Sequence, residues 1–180
     1  AFSEEPVVPP ARALLIDLLQ KAYSGELAAA LAYNGHSKSV KSEVESAQIR
    51  KIEEDELRHR NLVGSILQSL GEGPDASREF RMAWIGRTIG ALCHVSGWFF
   101  PMYGAGKLER RNIVEYENAA RHARDAGLTG LIECLLEMAE VEWDHELYFR
   151  EKASTHFLWK ILPGWNPPPV RERIRADFFS

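Results

Sequence analysis

The chain has 180 residues, enough for one domain with a sizeable core and no covalent staples. Its formal net charge is −4 and its lysines and arginines are scattered, which excludes the basic stripe of a nucleic-acid binder. Cys93 and Cys134 lie far apart and form no Cys-x-x-Cys pair, so neither a disulfide framework nor a thiolate metal site is readable, and a reduced, cytoplasmic setting is the expectation.

The N-terminal stretch AFSEEPVVPP has no basic flank and no apolar run, so it does not read as a signal peptide; residues 1–10 are expected to form an extended arm. Pro9 and Pro10 then open a helix from Ala11 to about Asn34, with Leu15, Leu19, Ala22, Ala30 and Tyr33 at helical spacing. Turn residues fill Asn34 to Ser42. Ser42 and Glu45 form a capping box that starts a second helix running to about Leu70 through Ile49, Ile52, Val63 and Leu67. After GEGPDAS a third helix is predicted over about Arg78 to Phe100, broken by the proline and glycines of PMYGAG, Pro101 to Gly106. A fourth covers about Lys107 to Ala126, DAGLTG interrupts, and a fifth runs from about Leu131 to Phe157. Residues 161–180 form a proline-rich tail with at most one short final helix, and no strand is readable. Residues 11–160 therefore make one all-α unit.

Two motifs stand out on this scaffold. Glu56-Leu57-Arg58-His59 and Glu142-Trp143-Asp144-His145 are the only Glu-x-x-His sequences in the chain. Residues three apart share a helix face, so each pair directs a carboxylate and an imidazole at one point. Bundles that hold two iron or manganese ions use such a pair from each of two helices and one glutamate from each of the other two. Glu26 supplies the first. Glu115 supplies the second, with Glu117 as the alternative. The midpoint of Glu26 and Glu56 is Lys41 and that of Glu115 and Glu142 falls between Leu128 and Thr129; both lie in predicted turns, as antiparallel hairpins with level carboxylates require.

The candidates sit on apolar stripes, Glu26 among Leu19, Ala22, Ala30 and Tyr33 and Glu142 among Leu135, Met138 and Phe149. Four buried carboxylates are costly unless neutralised, and two divalent cations balance them. Carboxylate with imidazole suits iron or manganese, alone or mixed. Glu53, Glu54, Glu117, Glu133, Glu137 and Glu140 are expected on the solvated face, with Asp144 and Glu146 as flanking charge. His94, Trp84 and Trp143 are expected to pack. His36, His122 and His156 are assigned to the surface or to positions behind the ligands, and Tyr23 and Tyr33 to the core.

A chain leaving the second helix must climb back before the fourth and fifth can pair, and the third has the length for it, roughly 34 Å at 1.5 Å per residue. An up-down-down-up four-helix bundle with an additional apolar crossover helix follows. The crossover, MAWIGRTIGALCHVSGWFFPMYGAG, is the most apolar part of the chain, but Arg87 and His94 interrupt it, so a transmembrane span is not expected. It is suited to packing on the bundle, to a homodimer interface or to a lipid surface. Its Gly86-x-x-x-Gly90 is a weak signal for close helix contact.

The order Glu, Glu-x-x-His, Glu, Glu-x-x-His resembles that of ferritin-like di-iron carboxylate proteins. YSGELAAALAYNGH around Glu26 and WIGRTIGALCHVSGWFF in the crossover are similar to the demethoxyubiquinone hydroxylase family. The resemblance implies a di-iron monooxygenase in which Glu56 and Glu142 bridge the irons, Glu26 and His59 complete one site, and Glu115 and His145 the other. It also implies hydroxylation of a quinone-ring precursor with O2 at the inner face of a membrane, fed by an electron donor that the sequence does not name. A rubrerythrin-like or ferritin-like ferroxidase or peroxidase is the second reading, with iron or peroxide as substrate. A non-enzymatic helical interaction protein is the third.

Overall fold

The computed structural model describes residues 10–180, and the predicted arm of residues 1–10 lies outside them except for Pro10. Six α-helices account for most of the described chain, and no strand occurs among these residues: α1 Pro10–Ser39, α2 Glu43–Ser69, α3 Ala76–Leu92, α4 Phe99–Asp125, α5 Ile132–Ser154 and α6 Arg173–Phe179. Short 3-10 turns at Thr129–Leu131 and Phe157–Lys160 flank α5.

Local chemistry sets the ends. Ser42 caps α2 by accepting from the Glu45 N–H, and Asp75 caps α3 by accepting from the Arg78 N–H at 3.0 Å. The Glu45 carboxylate does not close the capping box; it accepts instead from Trp98 Nε1 at 2.9 Å and Lys152 Nζ at 3.2 Å. The break after α3 falls at Cys93–Trp98, where Gly97 takes φ +82°, and not at PMYGAG as the sequence suggested. Pro101 lies in the first turn of α4, where its missing N–H breaks no helical bond, and Gly106 is a packing point, since a Cβ there would come within 2.7 Å of the Trp165 ring. The helix predicted from Lys107 thus starts eight residues earlier, at Phe99.

Packing follows the apolar stripes. α1 lies along α2 and α3, α4 lies along α5, and α1 also meets α4. One apolar cluster contains Leu15 and Leu19 of α1, Val63 and Leu67 of α2, Ile113 and Tyr116 of α4, and Leu135 and Met138 of α5. A second contains Ala29 and Tyr33, Ile49 and Ile52, Phe99 and Met102, and Phe149 and Ala153 of the same four helices. α1 and α5 therefore pass from the first cluster to the second, and α2 and α4 run the opposite way.

α3 crosses close to α1. A Cβ on Gly86 would lie 2.5 Å from Ala28 O and one on Gly35 would lie 2.3 Å from Gly90 O, so the Gly86-x-x-x-Gly90 pair permits backbone contact that any side chain would block. The opposite face of α3 is uncovered: Trp84, expected to pack, is 64% exposed, and Phe80 and Leu92 are exposed with it. His94, also expected to pack, is exposed. No described helix is long and apolar enough to cross a membrane.

The tail straps α4 and α5. Trp165 Nε1 donates to Glu146 at 2.8 Å, Trp143 Nε1 donates to Pro169 O at 2.7 Å, and Ile174 and Phe178 of α6 join the first cluster. Arg175 donates to both Glu140 and Glu133. Glu140 and Glu146 are consequently buried, where the sequence suggested a solvated face and flanking charge.

Candidate metal centre

Between the two apolar clusters each of α1, α2, α4 and α5 contributes polar side chains. Glu26, Glu56, His59 and Glu142 form one group, and Glu56, Glu109, Glu142 and His145 a second; within each, one ligand atom per residue lies within 4.8 Å of all the others. Glu56 and Glu142 belong to both. All six side chains are buried, and each group could hold a metal ion.

The i, i+3 spacing does its expected work on α2 and α5. His59 Nδ1 lies 2.8 Å from Glu142 Oε1 and 4.0 Å from Glu26 Oε1. His145 Nδ1 lies 3.2 Å from Glu56 Oε1 and 3.8 Å from Glu142 Oε2, while its Nε2 faces Asp55 Oδ2 at 3.2 Å. Each imidazole thus points at the glutamate of the other motif. Tyr33 donates to Glu109 and Tyr116 to Glu26, and Asn112 Nδ2 donates to Glu109 at 3.2 Å.

Glu115 is not brought to the cluster. It lies half-buried on the flank of α4, paired with Arg111 Nε at 3.2 Å, and Glu109 stands where Glu115 was expected. Glu117 is half-buried and outside the cluster as well. Two features explain the shift. α4 buries Met102, Ala105, Glu109, Ile113, Tyr116, Ala120 and Ala123 as one stripe, and Glu115 is rotated about 100° off it. The α4–α5 connection is also asymmetric: Gly127, at φ +74°, turns the chain directly after α4, and Leu128–Leu131 extend the α5 arm. The stripe was readable in the sequence, since Glu109 is four residues before Ile113 and seven before Tyr116; the expected break at PMYGAG hid it.

Burial dominates the electrostatics of the cluster. Burial, with the charge of Glu142 next, raises the pKa of Glu56 and Glu109 well above the usual range, and burial raises Glu26. Burial opposes charge on Glu142 too, but its polar neighbours Glu109, His145 and His59 hold it well below that range. Burial likewise favours neutral rings at His145 and His59, and hydrogen bonds outweigh it and raise both: Asp55 leads at His145, Glu142 at His59. These directions favour protons on Glu26, Glu56, Glu109 and both imidazoles around an ionised Glu142. Even so, Glu26 Oε2, both Glu56 oxygens and His145 Nδ1 are buried without a hydrogen-bond partner. An orphaned buried polar atom costs on the order of 1–3 kcal/mol, and a cation held among these groups would partner them. Carboxylate and imidazole groups around such a point fit divalent metal, which would displace the protons.

A cavity of about 810 Å³ between α1, α3 and α4 reaches this cluster at Glu26, Tyr33 and Tyr116. No family model, no curated protein and no solved structure matches this chain.

Proposed function

We propose that this protein is a ferritin-like di-iron carboxylate protein, an up-down-down-up four-helix bundle of α1, α2, α4 and α5 with α3 as crossover, and that it acts as an O2-dependent oxygenase on a lipophilic, quinone-like substrate. The observation that carries the oxygenase reading is the cavity, whose wall is mostly apolar and which reaches the cluster at Glu26 and Tyr116. A centre that handled only metal ions or peroxide would have no use for such a space.

Glu26 and His59 would hold one ion and Glu109 and His145 the other, with Glu56 and Glu142 shared. When bound, a pair of irons supplies the electrons that reduce O2 and the oxidising power to place one oxygen atom in a C–H bond; an external donor provides two electrons and the second oxygen leaves as water. Asp55 fixes the ring of His145 so that Nδ1 faces the centre. Tyr116 donates to Glu26 at the cavity wall and can hold or pass a proton there. The two apolar clusters exclude bulk water from either end. The exposed apolar face of α3 offers a peripheral contact with a lipid surface, from which such a substrate would enter.

The test is incubation of the reduced, iron-loaded protein with isotopically labelled O2 and lipophilic candidates, quinones first. Labelled product supports the reading. Rapid peroxide or Fe(II) turnover with no labelled product from any of them contradicts it and favours ferroxidase or peroxidase chemistry.

A further inference from the structure

The cavity is electrically polarised along its length. α3 runs parallel to α1, with Gly86 against Ala28 and Gly90 against Leu31 and Gly35, and Arg78 pairs with Asp17 at 3.2 Å. α4 runs the other way. One end of the cavity therefore gathers Lys21, Arg78, Arg81 and Arg111, and the other is lined by Ala32, Ile89, Cys93, Phe100 and Gly104. Among the described residues the cations still exceed their partners: Lys21 and Arg78 share Asp17, Arg78 also meets Asp75 at 3.7 Å, Arg111 has Glu115, and Arg81 forms no ion pair. Arg81 Nε has only the Ser77 carbonyl, at 3.4 Å. Although the chain is acidic overall, no Asp or Glu occurs from Phe80 to Leu108.

Glu26 lies between the two ends. Lys21 precedes it by five residues, about 7 Å along the helix, and His36 follows it by ten, about 15 Å. From these placements we infer that the cavity binds a single-chain amphiphile with an anionic head, such as a long-chain carboxylate. Arg81 receives the head, the first few methylenes lie level with Glu26, and the tail runs along α3 towards Phe100. A guanidinium free of competing carboxylates is the group best suited to a carboxylate by paired hydrogen bonds. The inference rests on the cavity serving the metal centre, and it keeps the lipophilic substrate of the proposed function while giving it a carboxylate head in place of a quinone-like ring.

The test compares hexadecanoate, hexadecanol and octanoate, each below its self-association limit, as displacers of a fluorescent fatty-acid analogue from the metal-loaded protein. Hexadecanoate is expected to bind at least about tenfold tighter than hexadecanol. Arg81→Gln, at an exposed position, should remove most of that advantage and leave hexadecanol unchanged. Gly104→Leu fills the tail end, where a Cβ meets nothing within 4 Å, and should weaken hexadecanoate more than octanoate. Equal binding of acid and alcohol, equal loss of both in Arg81→Gln, or no displacement at all overturns the inference. Arg81-dependent sedimentation with phosphatidylglycerol vesicles without displacement by hexadecanoate also overturns it and assigns Arg81 to a membrane surface. Metal content measured on the same samples separates the two readings: hexadecanoate uptake without metal sinks the metal centre alone, and metal with no acid preference sinks this inference alone.

Discussion

Glu109 and Glu115 lie on one helix six residues apart, and only the first is buried against Glu142, His145 and Glu56. Glu109→Gln should therefore remove one strong ligand and lower metal content, while Glu115→Gln should leave it unchanged; elemental analysis of the two variants checks this, and the reverse order would contradict it. Asp55 acts across helices, holding His145 Nε2 at 3.2 Å. Losing such a partner typically costs 10–100-fold in metal affinity, so Asp55→Ala should weaken binding by roughly that factor in a competition titration. His36 is a different case. Its ring stacks on Phe149 with centroids 6.0 Å apart, it is 2% exposed where a surface or ligand-backing position was expected, and burial lowers its pKa from 6.5 to about 4. The unfolded chain takes up this proton first as pH falls, so stability from this group is complete above pH 6.5 and declines down to about pH 4, by about 3 kcal/mol in total. Denaturant titrations at pH 7 and pH 4.5 should show a smaller loss for His36→Phe than for the parent chain. An equal loss in both would contradict the assignment.

At the scale of elements, the crossover of α3 on α1 depends on glycine. Gly86→Val would drive a side chain into the Ala28 carbonyl, 2.5 Å from the Cβ, and should cost about 1–3 kcal/mol in urea unfolding. Gly25→Ala is the control, since its Cβ meets nothing within 4 Å and removing a helical glycine should be neutral or stabilising. A tolerated Gly86→Val would mean that the two helices do not touch as described. These elements also show what was legible beforehand. The two Glu-x-x-His motifs and Glu26 could be read because a 3.6-residue period fixes which side chains share a face, whatever the tertiary structure. Helix existence was legible for the same reason. PMYGAG was not, because whether Pro101, Gly104 and Gly106 break a helix depends on Pro101 falling in a first turn and on Trp165, sixty residues from Ala105 in the chain, packing on Gly106. Glu146 and Glu140 were misjudged on similar grounds: their partners, Trp165 and Arg175, come from the tail.

For the molecule as a whole, the arrangement is a polar layer held between two apolar ones. Leu15, Leu67, Leu135 and their neighbours close one end, and Ile49, Met102, Phe149 and theirs close the other, so carboxylates that water would solvate are kept dry and convergent. Such a layer is unfavourable in itself, with acceptors at Glu26 and Glu56 left unpartnered. Metal ions held there would offset that cost. The most direct measurement is metal content by elemental analysis of protein purified after growth with iron, for the parent chain and for Glu56→Ala with Glu142→Ala. The account predicts about two ions per chain in the parent, lost in the double variant while far-ultraviolet circular dichroism still reports helix. Well under one ion per chain in the folded parent, or content unchanged by the double substitution, would contradict it.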